Sequence, residues 1–391
     1  MKTKIAILGS TGSIGKNLFN ILEKDFRKFQ VQLLSTNTNY KELLKQANFF
    51  RVKNLIITNK KVFNLACKNE KFRNFNLYND FNYLNKIFKK QKIDYVMSAI
   101  TGIDGLKPTV EIIKYTKKIA IANKEAIICG WKFIKKELDK YKTSFIPVDS
   151  EHFSIWFGLK NIDFKFVEKV FITASGGPFL NTKYKDLKNV KVDDAINHPN
   201  WRMGIKISID SSTMMNKVFE VIEAKNIFNT TYKKISILVH PKSFIHSIIF
   251  FNNEMIKLIA HNTSMTIPIK NSLYNESYLQ TKKNKVKIIN LSKLNELKFF
   301  ELNKKHFPLV DILDFLPTKP SLFETALVSA NDQLVDLFIN NKIKYIEIIE
   351  GLLSFLQKKE IKKLKYINKF TLNDIFKINE YVRLKISKKY I

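Results

Sequence analysis

Apolar and polar positions follow two different rhythms along the 391 residues. Up to about residue 148, the short apolar runs IAIL, VQLL, NLIIT, DYVMSAI, KIAIAN and SFIPV are separated by segments of helical periodicity. That alternation predicts repeated βα units and a parallel sheet over residues 1–150. From 151 to 275 the strand-like runs KVFITA, ISILVH and SFIHSIIFF flank a long polar stretch and one helical pattern, which predicts a mixed α+β domain. The polar stretch, 181–206, has little apolar periodicity and reads as a flap. Residues 276–300 are polar and lysine-rich, a connection. Beyond 301, SLFETALVSANDQLVDLFINN, YIEIIEGLLSFLQKK and TLNDIFKINEYVRLKI place apolar residues at helical spacing and predict a C-terminal helical bundle over 301–391. The fold class is α/β, with no internal repeat.

The net charge of +32 invites a nucleic-acid reading. The charge is nearly all lysine, scattered along the chain, and the five arginines form no cluster, whereas base and bidentate phosphate recognition favour arginine. The expectation is therefore no nucleic-acid partner, only attraction for anionic metabolites. No apolar stretch reaches the length of a membrane span, and the chain enters KIAIL at once. Together these predict a cytoplasmic protein without a membrane partner. Two distant cysteines, Cys67 and Cys129, support neither a disulfide framework nor a thiolate metal site.

Glycine is scarce, 11 in all, and it bunches at 9, 12 and 15, at 102 and 105, and at 176 and 177. KIAILGSTGSIG is a strand, a glycine-punctuated turn and a helix start, the context in which backbone N–H groups and a helix terminus meet a pyrophosphate. The spacing is GxxGxxG, not the commoner GxGxxG, and the plain alternative is a turn packing helix on sheet. The second strand ends LLSTNTNY with no acid to meet a ribose 2′-hydroxyl, which leans toward NADP.

PVDSEH at 147–152 places Asp149 and Glu151 two apart after an apolar run, so an extended chain would turn both acids to one side. A divalent cation, a raised-pKa acid/base pair and a solvated turn each account for them. NKE at 123–125 puts Lys124 at the end of another strand, where it could hold an oxyanion or simply be solvated. Ser175 in TASGGPF offers donors to an anion, or marks an ordinary turn. DSSTMMNKVFEVIEA reads as a helix starting near Ser211 or Ser212, with Lys217 within two turns. Asn216 and Glu220 share one face of it, and Glu220 is a candidate third carboxylate. Trp201 and Met203 in HPNWRMG are out of place in a merely solvated loop and suit a flap closing over substrate, or a loop docked by its tryptophan. His152, His240 and His246 lack a metal-ligand spacing and read as structural.

Taken in order, GSTGSIG, NKE, PVDSEH, ASGGPF, HPNWRMG and KISIDSSTMMNKVFEVIEA resemble the 1-deoxy-D-xylulose 5-phosphate reductoisomerase family. The resemblance implies a Rossmann-like first domain binding NADPH, a homodimer, and a sugar phosphate rearranged and then reduced. It implies a Mn²⁺ or Mg²⁺ ion held by Asp149, Glu151 and Glu220, hard oxygen ligands that suit either cation. Lys124 and Ser150 would meet the carbon chain; Ser175, Ser211, Asn216 and Lys217 the phosphate. Thr11, Gly12, Ser13, Ile14, Asn39, Asn123, Glu125 and Gly204 would lie along the cofactor, and His198, Trp201 and Met203 would belong to the flap. The chain departs from the family at Asn37 and Thr38, where a glycine and a basic residue commonly meet the 2′-phosphate; Lys41 stands nearby as a substitute. Rival readings are a semialdehyde or homoserine dehydrogenase, the former requiring a nucleophilic cysteine, and a lysine-rich nucleic-acid-binding protein.

Overall fold

Ile5, Ala6, Ile7 and Leu8 are all fully buried, because the strand they form has neighbours on both sides and helices on both faces. This strand, β1 (Thr3–Leu8), is followed by β2 (Phe29–Thr36), β3 (Asn54–Ile57), β4 (Asn76–Tyr78), β5 (Ile93–Ser98), β6 (Thr116–Ile121) and β7 (Ser144–Pro147). They form one sheet in the order β4-β3-β2-β1-β5-β6-β7, with every pairing parallel. Six of the seven strands are the apolar runs expected. The seventh, β4, has only Asn76, Leu77 and Tyr78, too few residues for a periodic signal. The structure, a computed structural model, describes residues 2–89, 92–201, 203–274 and 291–390.

The chain divides into two units. The first takes in the described residues within 1–126, 132–153 and 265–284. Its core gathers Ile5, Ile7, Leu18, Leu34, Leu55 and Met97 with Ile269 and Leu273 of a late helix, Thr266–Leu273. That helix is tied down by polar contacts: the Tyr95 hydroxyl lies 2.8 Å from Ser272 Oγ, Lys118 donates to the Ser272 carbonyl, and Tyr274 donates to Asp25. Sequence periodicity places 265–275 with the central domain, but the apolar face of this helix completes the first core.

The second unit holds the described residues within 127–131, 154–264 and 285–391. Its sheet comprises β8 (Val167–Ala174), β9 (Ile235–Val239), β10 (Ile245–Phe251), β11 (Ile256–Ala260) and β12 (Phe300–Glu301), in the order β11-β10-β8-β9-β12. Only β8 and β9 run parallel. β8, β9 and β10 match the expected runs; β11 is largely exposed and so carries no core pattern. Of the connection expected at 276–300, residues 276–290 lie outside the described residues, while Leu291–Asn295 is helical and β12 joins the sheet beside β9. The C-terminal helices Leu322–Ile339, Tyr345–Leu356 and Leu372–Tyr390 match the predicted helical runs. Ser321 and Glu324 start the first with a reciprocal capping box, a motif that stabilises a helix by about 1 kcal/mol. Among the described residues no helix is long and apolar enough to cross a membrane.

Candidate active site

In the first unit the strand order reverses at β1, with β2 on one side and β5 on the other, and ligands of open α/β sheets collect at the carboxyl ends flanking such a point. The glycine turn sits there. Gly9 has φ +80°, and a Cβ on it would lie 2.6 Å from the Ala99 carbonyl; one on Gly15 would lie 2.4 Å from the Gly9 carbonyl. Gly12 is different: a Cβ there would meet only the Gly9 carbonyl, at 3.5 Å, so its outer side is open. Gly12 immediately precedes helix Ser13–Lys24, so Ser13 and Ile14 are its first residues. The turn is held by the end of β2, where Ser35 Oγ accepts from Gly9 N at 2.9 Å and Thr36 Oγ1 lies 2.7 Å from Thr11 Oγ1. A preformed turn with an open glycine beside a helix start fits a dinucleotide pyrophosphate. Sequence reasoning misses Ser35 and Thr36, whose only signal is two hydroxyl residues at the end of an apolar strand.

Asn123 ends the connection from β6 and caps helix Lys124–Tyr141, accepting from Ala126 N at 2.7 Å. Its amide also donates to the carbonyls of Ile100 and Gly102, so the side chain locks the loop after β5. Asn39 likewise caps helix Tyr40–Phe50 through Glu42 N. Both were expected at the cofactor, and in both the side chain is engaged by backbone. Glu125 is buried in the first turn after Asn123. Asn37 Oδ1 accepts from Thr58 Oγ1, which staples the loops after β2 and β3 where the chain departs from the family pattern.

The acids of PVDSEH are placed by a helix and not by an extended strand. β7 ends at Pro147, Phe153 N donates to the Asp149 carbonyl at 2.8 Å, and Ser150–Gly158 is helical. Asp149 is therefore the residue just before the helix and Glu151 lies in its first turn, which corrects the alternation argument. Asp149 pairs with the buried Lys124 at 2.8 Å, and Glu151 accepts from Ser150 Oγ at 2.6 Å. A lysine beside one carboxylate and a hydroxyl on the other leave a set of hard oxygen donors, the chemistry a Mg²⁺ or Mn²⁺ ion takes.

In the second unit, the stretch at 181–206, read as a flap for its lack of apolar periodicity, contains short helical pieces, Tyr184–Asn189 and Val192–Ile196, pinned by buried Leu187 and Ala195. His198 orders the residues just after them. Its Nδ1 accepts from Asn200 N and Trp201 N at 3.1 and 3.0 Å, so in the neutral ring the proton is on Nε2, which lies 3.0 Å from Ser175 Oγ. Burial, reinforced by the Lys217 charge, depresses the His198 pKa to about 4. Ser175 in turn accepts from Gly177 N at 3.1 Å. Asn200 donates to Pro241 O and Ser243 Oγ, and the Trp201 ring meets His246 edge-on at 6.0 Å, so the tryptophan docks this loop against the unit's sheet. Met203 is half-buried, and Gly204 opens the next helix with its Cα facing empty space.

That next helix is a second correction. DSSTMM is not a helix start: Ile205–Ser212 is one helix, Met214 adopts φ +66°, and Met215–Ile227 is another. Ser212 Oγ donates to Ile209 O and Thr213 Oγ1 to Asp210 O, side-chain bonds that compete with the helical ladder and mark its end. Ser211 and Ser212 thus lie in a last turn. Past the break, Asn216, Lys217 and Glu220 share a face, and the Glu220 carboxylate accepts from both Asn216 Nδ2 and Lys217 Nζ. Lys217 and Glu220 are buried.

Sequence profiles of 1-deoxy-D-xylulose 5-phosphate reductoisomerase match residues 5–130, those of its C-terminal domain residues 145–228, and those of a further DXP reductoisomerase C-terminal domain residues 261–385. The chain is 53% identical over 385 residues to 1-deoxy-D-xylulose 5-phosphate reductoisomerase of Pelagibacter ubique (strain HTCC1062), covering 98% of each. The chain belongs to the 1-deoxy-D-xylulose 5-phosphate reductoisomerase family. A Clostridium kluyveri reductoisomerase is 35% identical over 400 residues, spanning 98% of this chain and all of that one. Among solved structures, the reductoisomerase from Zymomonas mobilis in complex with NADPH superposes with TM-score 0.84 at 28% identity, over 100% and 99% of the two chains. A DOX-P reductoisomerase in complex with NADPH, fosmidomycin and magnesium gives 0.89 at 28%, over 99% and 98%. Membership in this reductoisomerase family removes the dehydrogenase and nucleic-acid readings; of the cysteines a semialdehyde dehydrogenase would need, Cys129 is buried within helix Lys124–Tyr141.

Proposed function

We propose that this chain converts 1-deoxy-D-xylulose 5-phosphate to 2-C-methyl-D-erythritol 4-phosphate, a step toward isoprenoid precursors, using NADPH and a divalent cation. The observation that carries the activity is 53% identity to a named reductoisomerase across 98% of both chains. NADPH and magnesium are carried over from the solved reductoisomerases whose complexes contain them. Asp149, Glu151 and Glu220 would hold Mg²⁺ or Mn²⁺. Such a cation polarises a carbonyl and acidifies a hydroxyl bound to it, and NADPH supplies the hydride. Lys124, paired with Asp149, adds a positive charge beside the substrate oxygens, and Ser150 a hydroxyl donor. Ser175, Ser211, Asn216 and Lys217 grip the phosphate, while His198 orients Ser175 through its Nε2 proton. His198, Trp201 and Met203 cover the substrate and exclude water. Thr11, Gly12, Ser13 and Ile14 bear the pyrophosphate side of the cofactor; Asn39, Asn123, Glu125 and Gly204 lie along the rest, Asn39 and Asn123 through backbone.

A homodimer belongs to the same reading. β11 is an outer strand whose Met255, Ile256 and Leu258 side chains are exposed beside it, an apolar edge that soluble proteins usually cover. We assign a cytoplasmic location, because an exposed Cys67 thiol suits a reducing compartment. The test monitors NADPH oxidation with 1-deoxy-D-xylulose 5-phosphate and Mg²⁺ or Mn²⁺, with and without chelator, alongside sedimentation for the dimer. Turnover that chelation stops is expected; no turnover with this substrate in the presence of metal would overturn the assignment.

A further inference from the structure

Helix Ile205–Ser212 begins where the His198–Met203 segment ends and finishes at Ser211 and Ser212, so its placement sets two substrate-facing pieces at once. Its charged residues are paired: Asp210 is buried and Lys206 is half-buried. Lys206 Nζ lies 3.0 Å from Asp210, one turn on, and 2.9 Å from Asp332 of helix Leu322–Ile339. Arg383 of the last helix closes the other side of Asp332 at 3.1 Å, and Asn331 donates to Asp210 at 2.7 Å. Asp210 is 1% exposed and Asp332 8%. Two cations against two carboxylates leave the cluster neutral, yet apolar residues of similar volume would hold such a junction at least as firmly. What an ion-pair chain adds is a directional register between helices, which apolar packing lacks.

The far end of the same helix is held separately. The hydroxyl of Tyr345, a buried residue opening helix Tyr345–Leu356, donates to Ser212 Oγ at 3.0 Å. Its ring meets Phe179 edge-on at 5.1 Å, and Phe179 ends the ASGGPF segment that carries Ser175. Gly177 of that segment approaches so closely that a Cβ would lie 2.9 Å from the Ser211 carbonyl. One tyrosine therefore touches both segments assigned to the phosphate.

We propose that Tyr345 and the Lys206–Asp332–Arg383 chain are positioning residues through which the C-terminal helices fix helix Ile205–Ser212, and with it Ser211 and the base of the flap. This rests on the reading of Ser211 and His198 as substrate-facing. Ser211 is assigned to the phosphate and not to the reacting carbons, so loosening the helix weakens binding of ground and transition state alike, which raises KM and leaves the chemistry unaltered.

The test compares full-length Tyr345→Phe, Arg383→Gln, Arg383→Lys and Ser211→Ala by KM and kcat for 1-deoxy-D-xylulose 5-phosphate, with NADPH affinity by fluorescence titration and the thermal midpoint as folding controls. Tyr345→Phe keeps the ring on Phe179 and removes only the hydroxyl, so it tests the idea even if the arginine variants fold poorly. Expected are a KM raised about tenfold in Tyr345→Phe and Arg383→Gln, partial recovery in Arg383→Lys, kcat within about threefold and unchanged NADPH affinity. If Ser211→Ala raises KM while Tyr345→Phe and Arg383→Gln leave it unchanged, the positioning role is wrong and the site stands. If Ser211→Ala leaves KM unchanged, the reading of Ser211 falls and the positioning role falls with it.

Discussion

The two segments proposed to meet phosphate groups are built on opposite principles. The turn at 9–15 works through the absence of side chains: Gly9 and Gly15 stand where any Cβ would strike backbone, and the end of β2 holds the loop with Ser35 and Thr36 hydroxyls. The segment at 211–220 works through their presence, with Lys217, Asn216 and Glu220 interlocked beyond a break at Met214. The first depends on shape and the second on charge, so they should fail under different insults.

The turn that depends on shape is tested by Gly15→Val. Its Cβ would sit 2.4 Å from the Gly9 carbonyl and 2.5 Å from Ser10 Cα, backbone atoms with nowhere to go. NADPH affinity in a titration should fall more than about a hundredfold, to a degree that salt does not change, because shape and not charge is lost. Affinity within a few-fold of the parent would break the contrast. Glu220→Gln does the reverse: it keeps shape and removes charge. We expect kcat to drop on the order of a thousandfold, about 4 kcal/mol of transition-state stabilisation, with NADPH affinity intact. Parental turnover in that variant would contradict the metal assignment.

His198 gives a smaller and pH-resolved test. Folded, it takes up a proton only near pH 4, whereas unfolded it does so at 6.5. Between those values the unfolded chain holds more protons, so this group's contribution to stability is complete above pH 6.5 and is lost as pH falls toward 4. Proton NMR of the imidazole should show it neutral at pH 5.5, and a midpoint near 6.5 would break the double N–H acceptance by Nδ1. The smallest effect concerns Glu324, whose carboxyl burial lifts from 4.5 to about 7 against the lowering pull of Ser321 hydrogen bonds and the Lys225 charge. Here the folded chain keeps a proton that the unfolded chain has released, so stability is full below pH 4.5 and declines as pH rises through 7. Glu324→Gln preserves the capping geometry and should flatten the thermal midpoint between pH 5 and 8; an unchanged slope would assign the decline elsewhere.

The same physics decides which features were legible in the sequence. Strands buried on both faces, such as IAIL and DYVMSAI, are continuous apolar runs and stand out, while β4 and the exposed β11 do not. The GxxGxxG turn was legible because its steric requirement leaves glycine as the residue that fits at Gly9 and Gly15. Helix Ile205–Ser212 was hidden because Ile205, Ile207 and Ile209 alternate with polar residues, a strand-like pattern in which buried Asp210 and Ser212 have partners contributed by distant helices. For PVDSEH the pairing of acids was visible, but the geometry that places them is a helix start after Pro147, set by the Asp149 carbonyl accepting from Phe153 N. Asn39 and Asn123 show the converse limit: residue types suited to a cofactor were already committed to capping helices.

The central claim is that Asp149, Glu151 and Glu220 share one cation. Anomalous diffraction at the manganese edge, from crystals grown with Mn²⁺ and NADPH, tests it most directly. The account predicts a single strong peak with one oxygen from each of the three carboxylates at a metal–oxygen distance of about 2.1 Å. A peak held by other residues, with the Glu220 carboxylate outside its coordination, would contradict it.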